Sequence, residues 1–116
     1  MRLSDYIFRT LADWGLRQAF FITGGGAMHL NDALGAEPRI SRLCCLHEQA
    51  CAIAAEAYAR VAGIPAVVSV TSGPGGTNAI TGVAGAWLDS IPMIVISGQI
   101  KTETMISSCP ELKLRQ

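Results

Sequence analysis

The clearest strand-and-turn signal in the chain is Ala66-Val67-Val68-Ser69-Val70-Thr71, followed at once by Ser72-Gly73-Pro74-Gly75-Gly76. The first run is rich in valine and does not alternate between apolar and polar residues, as in a strand covered on both faces. The glycine-rich turn leads into an apolar segment at 77–88, which predicts a helix. Strand, turn and helix in this order are typical of parallel α/β folds.

The same unit recurs on both sides of this segment. The predicted helices lie at 4–14, 27–34, 49–62 and 77–88, and the predicted strands at 19–23, 43–46, 66–71 and 92–97. We therefore predict an α/β fold, a doubly wound parallel sheet with helices on both faces. The pattern fails after Gln99, so we expect residues 1–116 to be one partial domain, truncated before the last strands of its sheet.

Composition limits the classes of function. The chain has 116 residues, of which 50% are apolar and 16% charged, and its formal net charge is zero. Without a basic cluster there is no electrostatic basis for binding nucleic acid or an anionic membrane surface. The N-terminus lacks the apolar core of a secretory signal, and no apolar run is long enough to span a bilayer. We therefore expect a cytoplasmic protein with no membrane or nucleic-acid partner.

The four cysteines predict no metal site. They lie at positions 44, 45, 51 and 109, with no Cys-x-x-Cys pair and no histidine at a ligand spacing. Structural zinc sites need closely spaced ligand pairs. We expect Cys44 and Cys45, within an apolar run, to behave as small hydrophobic residues in a reducing compartment.

Two glycine-rich turns lie where a strand is followed by a helix, the place where open α/β sheets bind ligands. They are Gly24-Gly25-Gly26 and Gly73-Pro74-Gly75-Gly76. Such turns expose backbone N–H groups and allow a ligand to approach closely. Neither has the spacing of a P-loop, and His29 stands where a dinucleotide-binding loop would have its third glycine. Both turns can equally be simple tight connections.

Glu48 is the strongest single candidate for chemistry. It follows an apolar strand and precedes an alanine-rich helix, where we expect an ionised carboxylate to be poorly solvated. Such a carboxyl group is suited to hold a proton, or exchange one, with a ring nitrogen of a bound heterocycle. The alternative is a glutamate that interacts with the helix dipole. For the neighbouring His47 we expect an orienting or packing role.

Several motifs in order along the chain resemble a known family. They are Leu46-His47-Glu48-Gln49-Ala50, Ala54-Ala55-Glu56-Ala57-Tyr58-Ala59-Arg60, Val70-Thr71-Ser72-Gly73-Pro74-Gly75-Gly76-Thr77-Asn78-Ala79, Asp89-Ser90-Ile91-Pro92 and Ser97-Gly98-Gln99. Over almost its whole length the chain resembles the N-terminal pyrimidine-binding domain of thiamine-diphosphate-dependent enzymes. The acetolactate synthase-like branch is the most similar.

The resemblance implies roles for particular residues. Glu48 would hydrogen-bond N1′ of the cofactor's aminopyrimidine and favour the imino tautomer, whose nitrogen removes the C2 proton of the thiazolium. Gln99 would lie near the cofactor or a flavin. The implied catalytic residue is Glu48, and the implied cofactor-binding residues are Glu48, Gly24, Gly25, Gly26, Thr71, Ser72, Gly73, Pro74, Gly75, Asn78 and Gln99.

The resemblance also implies partners. In this family a separate C-terminal domain holds the diphosphate and Mg²⁺, and the active site forms between two subunits of a homo-oligomer. FAD is bound in some branches, and the substrate is a 2-keto acid that is decarboxylated, with transfer or release of the acyl unit. Thr23 stands where acetolactate synthases commonly have proline, which leaves the particular keto acid open. On this basis we expect the isolated chain to be inactive.

Two other functions fit the sequence. The chain could be a non-catalytic binding or interaction subunit of a split enzyme, with the diphosphate-binding domain on a separate polypeptide. It could also be a Rossmann-type nucleotide-binding domain, which rests only on the fold and the glycine turns.

Overall fold

The computed structural model describes residues 1–105. Within that range the helices are α1 (Leu3–Asp13), α2 (Met28–Ala36), α3 (Glu48–Ala62) and α4 (Pro74–Leu88). The strands are β1 (Gln18–Phe21), β2 (Ser41–Cys44), β3 (Val67–Val70) and β4 (Ile94–Ser97). Short 3₁₀ turns occur at Gly25–Ala27 and Thr102–Thr104.

The strands form one parallel sheet in the order β2-β1-β3-β4. Phe20 of β1 lies between Leu43 of β2 and Val68 of β3, and Val68 is in turn opposite Val95 of β4. All four residues of β3 are buried, which explains why its sequence does not alternate. The predicted parallel α/β fold is confirmed.

Helices cover both faces of the sheet, as predicted. On one face Phe8 of α1 and Leu34 of α2 pack in a cluster with Val67 of β3. On the other face Cys51 of α3 packs with Val68 and its neighbours. Side chains from successive β3 residues therefore enter opposite halves of the core, as the pleat of a strand requires.

The alanine-rich sequence of α3 allows α4 to lie close against it. A Cβ placed on Gly82 of α4 would come within 2.5 Å of the Ala52 Cβ and 2.9 Å of the Ile53 backbone nitrogen. Larger side chains at this contact would force the two helices apart. Arg60 of α3 also forms an ion pair with Asp89, the C-cap of α4.

The sequence prediction for β2 is wrong in its boundaries and its burial. The predicted strand lies at 43–46, whereas β2 is Ser41–Cys44 and each of its residues is exposed. The reason is that β2 lies at the edge of the sheet. None of its residues belongs to either core cluster. Cys44 is accordingly exposed and does not behave as a core residue, whereas Cys45 packs against the α3 cluster as predicted.

The described part of the chain has no helix long and apolar enough to cross a membrane. The predicted loss of pattern after Gln99 falls largely on residues 106–116, which lie outside the described residues together with Cys109.

Candidate functional site

The loops that follow β1, β3 and β4 meet at the carboxyl end of the sheet. Thr71, directly after β3, joins them with its side chain and its backbone. Its Oγ1 accepts a hydrogen bond from the Gly26 backbone nitrogen at 3.1 Å, and its carbonyl oxygen accepts one from the Ser97 hydroxyl at 3.1 Å. The two predicted glycine turns are therefore parts of one site, which we call the Thr71 loop cluster.

Three glycines of the two glycine-rich turns have little space for a side chain. A Cβ on Gly24 would lie 2.5 Å from the Thr71 Cβ, and one on Gly75 would lie 2.7 Å from the Thr71 Cγ2. A Cβ on Gly26 would lie 2.7 Å from the Ser72 hydroxyl oxygen. The backbones of both turns thus pack directly against Thr71 and Ser72.

Gly73 and Gly25 have different environments. Gly73 precedes α4 with φ +61° and ψ −125°, a conformation that L-residues rarely adopt, and Pro74 occupies the first helical position. A Cβ on Gly73 or on Gly25 would meet no atom within 4 Å. Both turns therefore have one glycine that borders open space.

Glu48 is the first residue of α3. His47 precedes it in an extended conformation, and the His47 Nδ1 accepts a hydrogen bond from the Gln49 backbone nitrogen at 3.1 Å. His47 is thus the N-cap of the helix, an orienting role as expected. Glu48 thus starts the helix, and its carboxylate lies beside Asn78 and Gly75 at the Thr71 loop cluster.

The Glu48 carboxylate is held by Asn78 of α4. The Asn78 side-chain nitrogen donates a hydrogen bond to Glu48 Oε2 at 3.1 Å. Oε1 lies 3.6 Å from the place where a Gly75 Cβ would be, so Glu48, Gly75 and Asn78 form one group. The carboxylate is half-buried in this chain, not enclosed, which differs from the poorly solvated site expected from the sequence.

The structure does not bring Gln99 into this group. Gln99 is exposed, and its Oε1 accepts a hydrogen bond from the backbone nitrogen of the next residue, Ile100, at 2.9 Å. The candidates that come together are Gly24, Gly26, Glu48, Thr71, Ser72, Gly75 and Asn78.

Two residues of the cluster were missed as site residues by sequence reasoning. Ser97 binds the Thr71 carbonyl oxygen, and a Cβ on Gly98 would collide with the Gly26 carbonyl oxygen. Both lie where β4 ends, and that position is the one signal that could have identified them.

The Thr71 loop cluster is not identified by cavity volume. An apolar groove of about 750 Å³ lies between α4 and β4, on the side of α4 that carries Trp87. Its lining residues are Val83, Ala86, Trp87, Ser90, Ile91, Pro92, Met93 and Val95. None of them belongs to the Thr71 loop cluster. Residues 1–105 contain no group of three or more His, Cys, Asp or Glu side chains placed to hold a metal ion.

Comparison with known proteins identifies the family. Residues 1–108 match the family model described as thiamine pyrophosphate enzyme, N-terminal TPP binding domain. The isozyme 3 large subunit of acetolactate synthase from Escherichia coli is 46% identical over 99 residues, which is 85% of this chain and 17% of that protein.

Other relatives agree. The acetolactate synthase large subunit of Buchnera aphidicola is 46% identical over 97 residues, 84% of this chain and 17% of that protein. Chloroplastic acetolactate synthase 2 of Zea mays is 43% identical over 97 residues, 84% of this chain and 15% of that protein. The chain thus spans less than a fifth of the length of these relatives. It belongs to the thiamine pyrophosphate enzyme family, and its sequence falls within the N-terminal TPP binding domain.

Proposed function

We propose that this chain binds the pyrimidine end of thiamine diphosphate in an acetolactate synthase-like enzyme that decarboxylates a 2-keto acid and transfers or releases the acyl unit. Glu48 is the proposed catalytic residue. The observation that carries the proposal is the Glu48 carboxylate, held by Asn78 beside the glycine backbones of the Thr71 loop cluster. The family match and the names of the relatives support it.

The residues present fit the pyrimidine end of the cofactor. Glycine allows the backbone to approach a ligand closely, and both turns have a glycine bordering open space, Gly25 and Gly73. Glu48 supplies the one carboxylate of the group. When bound, thiamine diphosphate supplies the electron sink for decarboxylation, and the protein positions and activates it.

Asn78 determines which oxygen of Glu48 faces the ligand. Its side-chain N–H donates to Oε2, so Oε2 acts as an acceptor and Oε1 is the oxygen that is left to meet a ligand. Oε1 is the atom that lies next to Gly75, at the entrance to α4. We infer that Oε1 holds the proton that is shared with a ring nitrogen of the pyrimidine.

The described residues do not fit Mg²⁺, because residues 1–105 contain no suitable ligand group. We propose that the diphosphate and Mg²⁺ bind to a C-terminal domain, in the same or a second subunit of a homo-oligomer, and that this chain is inactive without that domain. A role for Gln99 near the cofactor or FAD stays a prediction, since its side chain caps Ile100. The cytoplasmic location also stays a prediction.

The test uses the intact enzyme that contains this chain. Glu48→Gln keeps the shape and the hydrogen bond to Asn78 but cannot ionise, and we expect turnover of a 2-keto acid to fall by about 100- to 10,000-fold. Glu56→Gln is the control, because Glu56 lies on the same helix and binds Arg60 away from the cluster. Near-normal turnover by Glu48→Gln, with the cofactor bound, contradicts the proposal.

The split-enzyme alternative places the same cofactor site on a separate polypeptide. An antibody against residues 41–60 would detect, in a lysate of the source, either a chain of roughly 300 to 600 residues, as expected for several domains, or a species of 12.2 kDa. The short species, copurifying with a larger chain, would favour the split enzyme. Saturable nucleotide binding by the purified chain would be required to support the Rossmann-type alternative.

A further inference from the structure

The end of strand β4 contacts both glycine-rich turns. The hydroxyl of Ser97, the last residue of β4, donates a hydrogen bond to the Thr71 carbonyl oxygen at 3.1 Å. The Ser97 Oγ also lies 3.2 Å from the place where a Cβ on Gly76 would be. At the next residue, Gly98, a Cβ would collide with the Gly26 carbonyl oxygen. Two consecutive residues of the chain thus touch the turn after β1 and the turn after β3.

Further contacts connect Thr71 with the Glu48 carboxylate. The Thr71 Oγ1 accepts a hydrogen bond from the Gly26 backbone nitrogen at 3.1 Å. The Thr71 Cγ2 lies 2.7 Å from the place where a Cβ on Gly75 would be, and Glu48 Oε1 lies 3.6 Å from that same place. In the described part of the chain Ser97 forms no hydrogen bond with Glu48. Ser97 can therefore act on the carboxylate only through Thr71.

We propose that Ser97 is a positioning residue for proton exchange at Glu48. Its hydroxyl holds the Thr71 carbonyl group, and Thr71 in turn contacts the backbones of Gly26 and Gly75. Gly75 borders Oε1, the carboxylate oxygen that is left to meet a ligand. The proposal deepens the function proposed above and rests on it. The hydrogen bond between Ser97 and Thr71 does not depend on that function, so it can be tested separately.

The Ser97 hydroxyl is needed because the pairing of β3 with β4 stops before the turn. Val70 is the last paired residue of β3, opposite Ser97, and its carbonyl oxygen accepts a hydrogen bond from the Gly98 backbone nitrogen at 2.9 Å. Thr71 lies beyond this pairing. Among residues 1–105 its carbonyl oxygen accepts from the Ser97 side chain and from no backbone nitrogen. The hydroxyl thus extends the connection between the two strands by one residue, into the turn that leads to α4.

The hydrogen of the Ser97 hydroxyl has two acceptors. Besides the Thr71 carbonyl oxygen, the Gly98 carbonyl oxygen lies 3.1 Å from the Ser97 Oγ. A hydroxyl has one hydrogen to donate, so the two acceptors share it. Gly98 is the next residue in the chain, so the contact with it joins no other element. The contact with Thr71 is the one that connects the ends of β3 and β4, and its loss should loosen the turn.

A pair of variants of similar shape, made in the intact enzyme, tests the role of the hydroxyl. Ser97→Thr keeps the hydroxyl, whereas Ser97→Val has a methyl group in its place, and both β-branched side chains suit a strand. Ser97 is exposed, so neither change disturbs the core. We expect C2 hydrogen–deuterium exchange of bound thiamine diphosphate to be about 5- to 10-fold slower in Ser97→Val than in Ser97→Thr, the effect of one lost hydrogen bond. The affinity for the cofactor should be the same in both.

Two alanine variants complete the set. Ser97→Ala removes the hydroxyl without adding a methyl group beside Gly76, and its C2 exchange rate should match that of Ser97→Val. Ser41→Ala is the control, because Ser41 is an exposed serine in the first position of β2, at the amino end of the sheet. It should leave the rate unchanged. Circular dichroism confirms that each variant is folded.

A second measurement follows the contact between the loops without reference to the cofactor. Amide hydrogen exchange of the peptide that contains Gly26, followed by mass spectrometry, reports the hydrogen bond from the Gly26 nitrogen to Thr71. We expect this peptide to exchange faster in Ser97→Val than in Ser97→Thr. Equal exchange would overturn the proposal, because Ser97 would then not hold Thr71 in place.

Other outcomes of the C2 assay would also overturn the proposal. One is an equal rate in Ser97→Val and Ser97→Thr while Glu48→Gln is slow, which leaves the function proposed above intact. Another is a loss of cofactor affinity as large as the loss of rate, since Ser97 would then support binding alone. A normal rate in Glu48→Gln would refute the proposed function together with the role of Ser97.

Discussion

The two ends of the sheet use their charged residues in different ways. At the amino end Arg39, just before β2, binds Asp13 of the α1 terminus at 2.6 Å and Glu37 at 2.8 Å. At the carboxyl end Glu48 is held by the neutral amide of Asn78, and among residues 1–105 it forms no ion pair. A carboxylate that an arginine already neutralises is stabilising, whereas one held by an amide keeps its capacity to exchange a proton with a ligand.

The two ends also differ in how closely the backbone packs. The carboxyl end has Gly24 and Gly75 against Thr71, with no space for a Cβ at either glycine. Elsewhere in the chain, Gly15, Gly35 and Gly63 have nothing within 4 Å of a Cβ position. Among residues 1–105, glycines without space for a Cβ therefore occur in the site and, at Gly82, in the contact between α3 and α4. Those of the site fix the two turns that border Glu48.

The largest effect on stability is expected for Gly24→Ala. Its Cβ would overlap the Thr71 Cβ, which cannot rotate away, so we expect a loss of about 1–3 kcal/mol in the free energy of unfolding. Urea unfolding followed by circular dichroism measures it. Gly25→Ala is the matched control, because open space surrounds that position, and it should change stability by less than about 0.5 kcal/mol. Equal losses in both variants would show that the two turns do not pack as described.

A smaller effect is expected for Gly75→Ala. Its Cβ would lie 2.7 Å from the Thr71 Cγ2, a terminal methyl group that can shift more easily than the Thr71 Cβ that Gly24→Ala would meet. Thr71→Ser removes that methyl group and keeps the hydroxyl that binds Gly26. In a double-mutant cycle Thr71→Ser should therefore relieve Gly75→Ala more fully than Gly24→Ala, because a Cβ on Gly24 would still lie 2.5 Å from the Thr71 Cβ. Additive effects in both pairs would refute the role of Thr71.

Asn78→Ala should lower the free energy of unfolding by about 1 kcal/mol, the contribution of one hydrogen bond. The bond is exposed, because Asn78 lies at the surface. Chemical denaturation of the chain gives this value.

The consequence for function should be larger, because the Glu48 carboxylate loses the donor that orients it. In the intact enzyme we expect the catalytic rate constant to fall while cofactor affinity changes little. A variant that loses cofactor affinity without losing rate would indicate that Asn78 binds the ligand directly.

The smallest effect concerns the amino end and is pH-dependent. The hydrogen bond from Arg39 lowers the pKa of Glu37 from 4.5 to about 2. Because the folded state holds the ionised form, this stabilisation is fully present above pH 4.5 and is lost as the pH falls towards 2. Because Arg39 is exposed, solvent screens the pair, and we expect its effect on the free energy of unfolding to be the smallest of these predicted effects.

Thermal unfolding between pH 5 and pH 2 should show the difference between wild type and Arg39→Ala. The variant should be less stable at the upper end of this interval, and the two proteins should converge at the lower end. Asn78→Ala keeps the ion pair between Arg39 and Glu37, so it is the control at the other end of the sheet. A constant gap across the interval would contradict the assignment of the ion pair.

Much of the fold could be predicted because apolar runs and glycine turns alternate along the chain. The edge strand was misplaced for a physical reason. Cys45 and Leu46 extend the apolar run beyond β2, whereas pairing with β1 begins with Ser41 opposite Gln18. An edge strand without burial has no hydrophobic pattern that marks its ends.

The site was predicted in its parts but not in its contacts. Glu48 and Asn78 are 30 residues apart, and they meet because α4 lies close to α3 where Gly82 contacts Ala52. No local sequence pattern indicates that two residues so far apart in the chain will meet in the fold. Ser97 was missed for a similar reason, since a single serine at a strand end has no periodicity and its bond to the Thr71 carbonyl oxygen depends on the sheet order.

The most direct test of the role of Glu48 is the rate of C2 hydrogen–deuterium exchange of thiamine diphosphate bound to the intact enzyme. This rate reports proton removal from the cofactor without the later steps of turnover. We predict that Glu48→Gln slows it by about 100-fold or more, the usual contribution of a general acid or base, while Glu56→Gln leaves it unchanged. Near-normal exchange in Glu48→Gln, with the cofactor bound, would contradict the account.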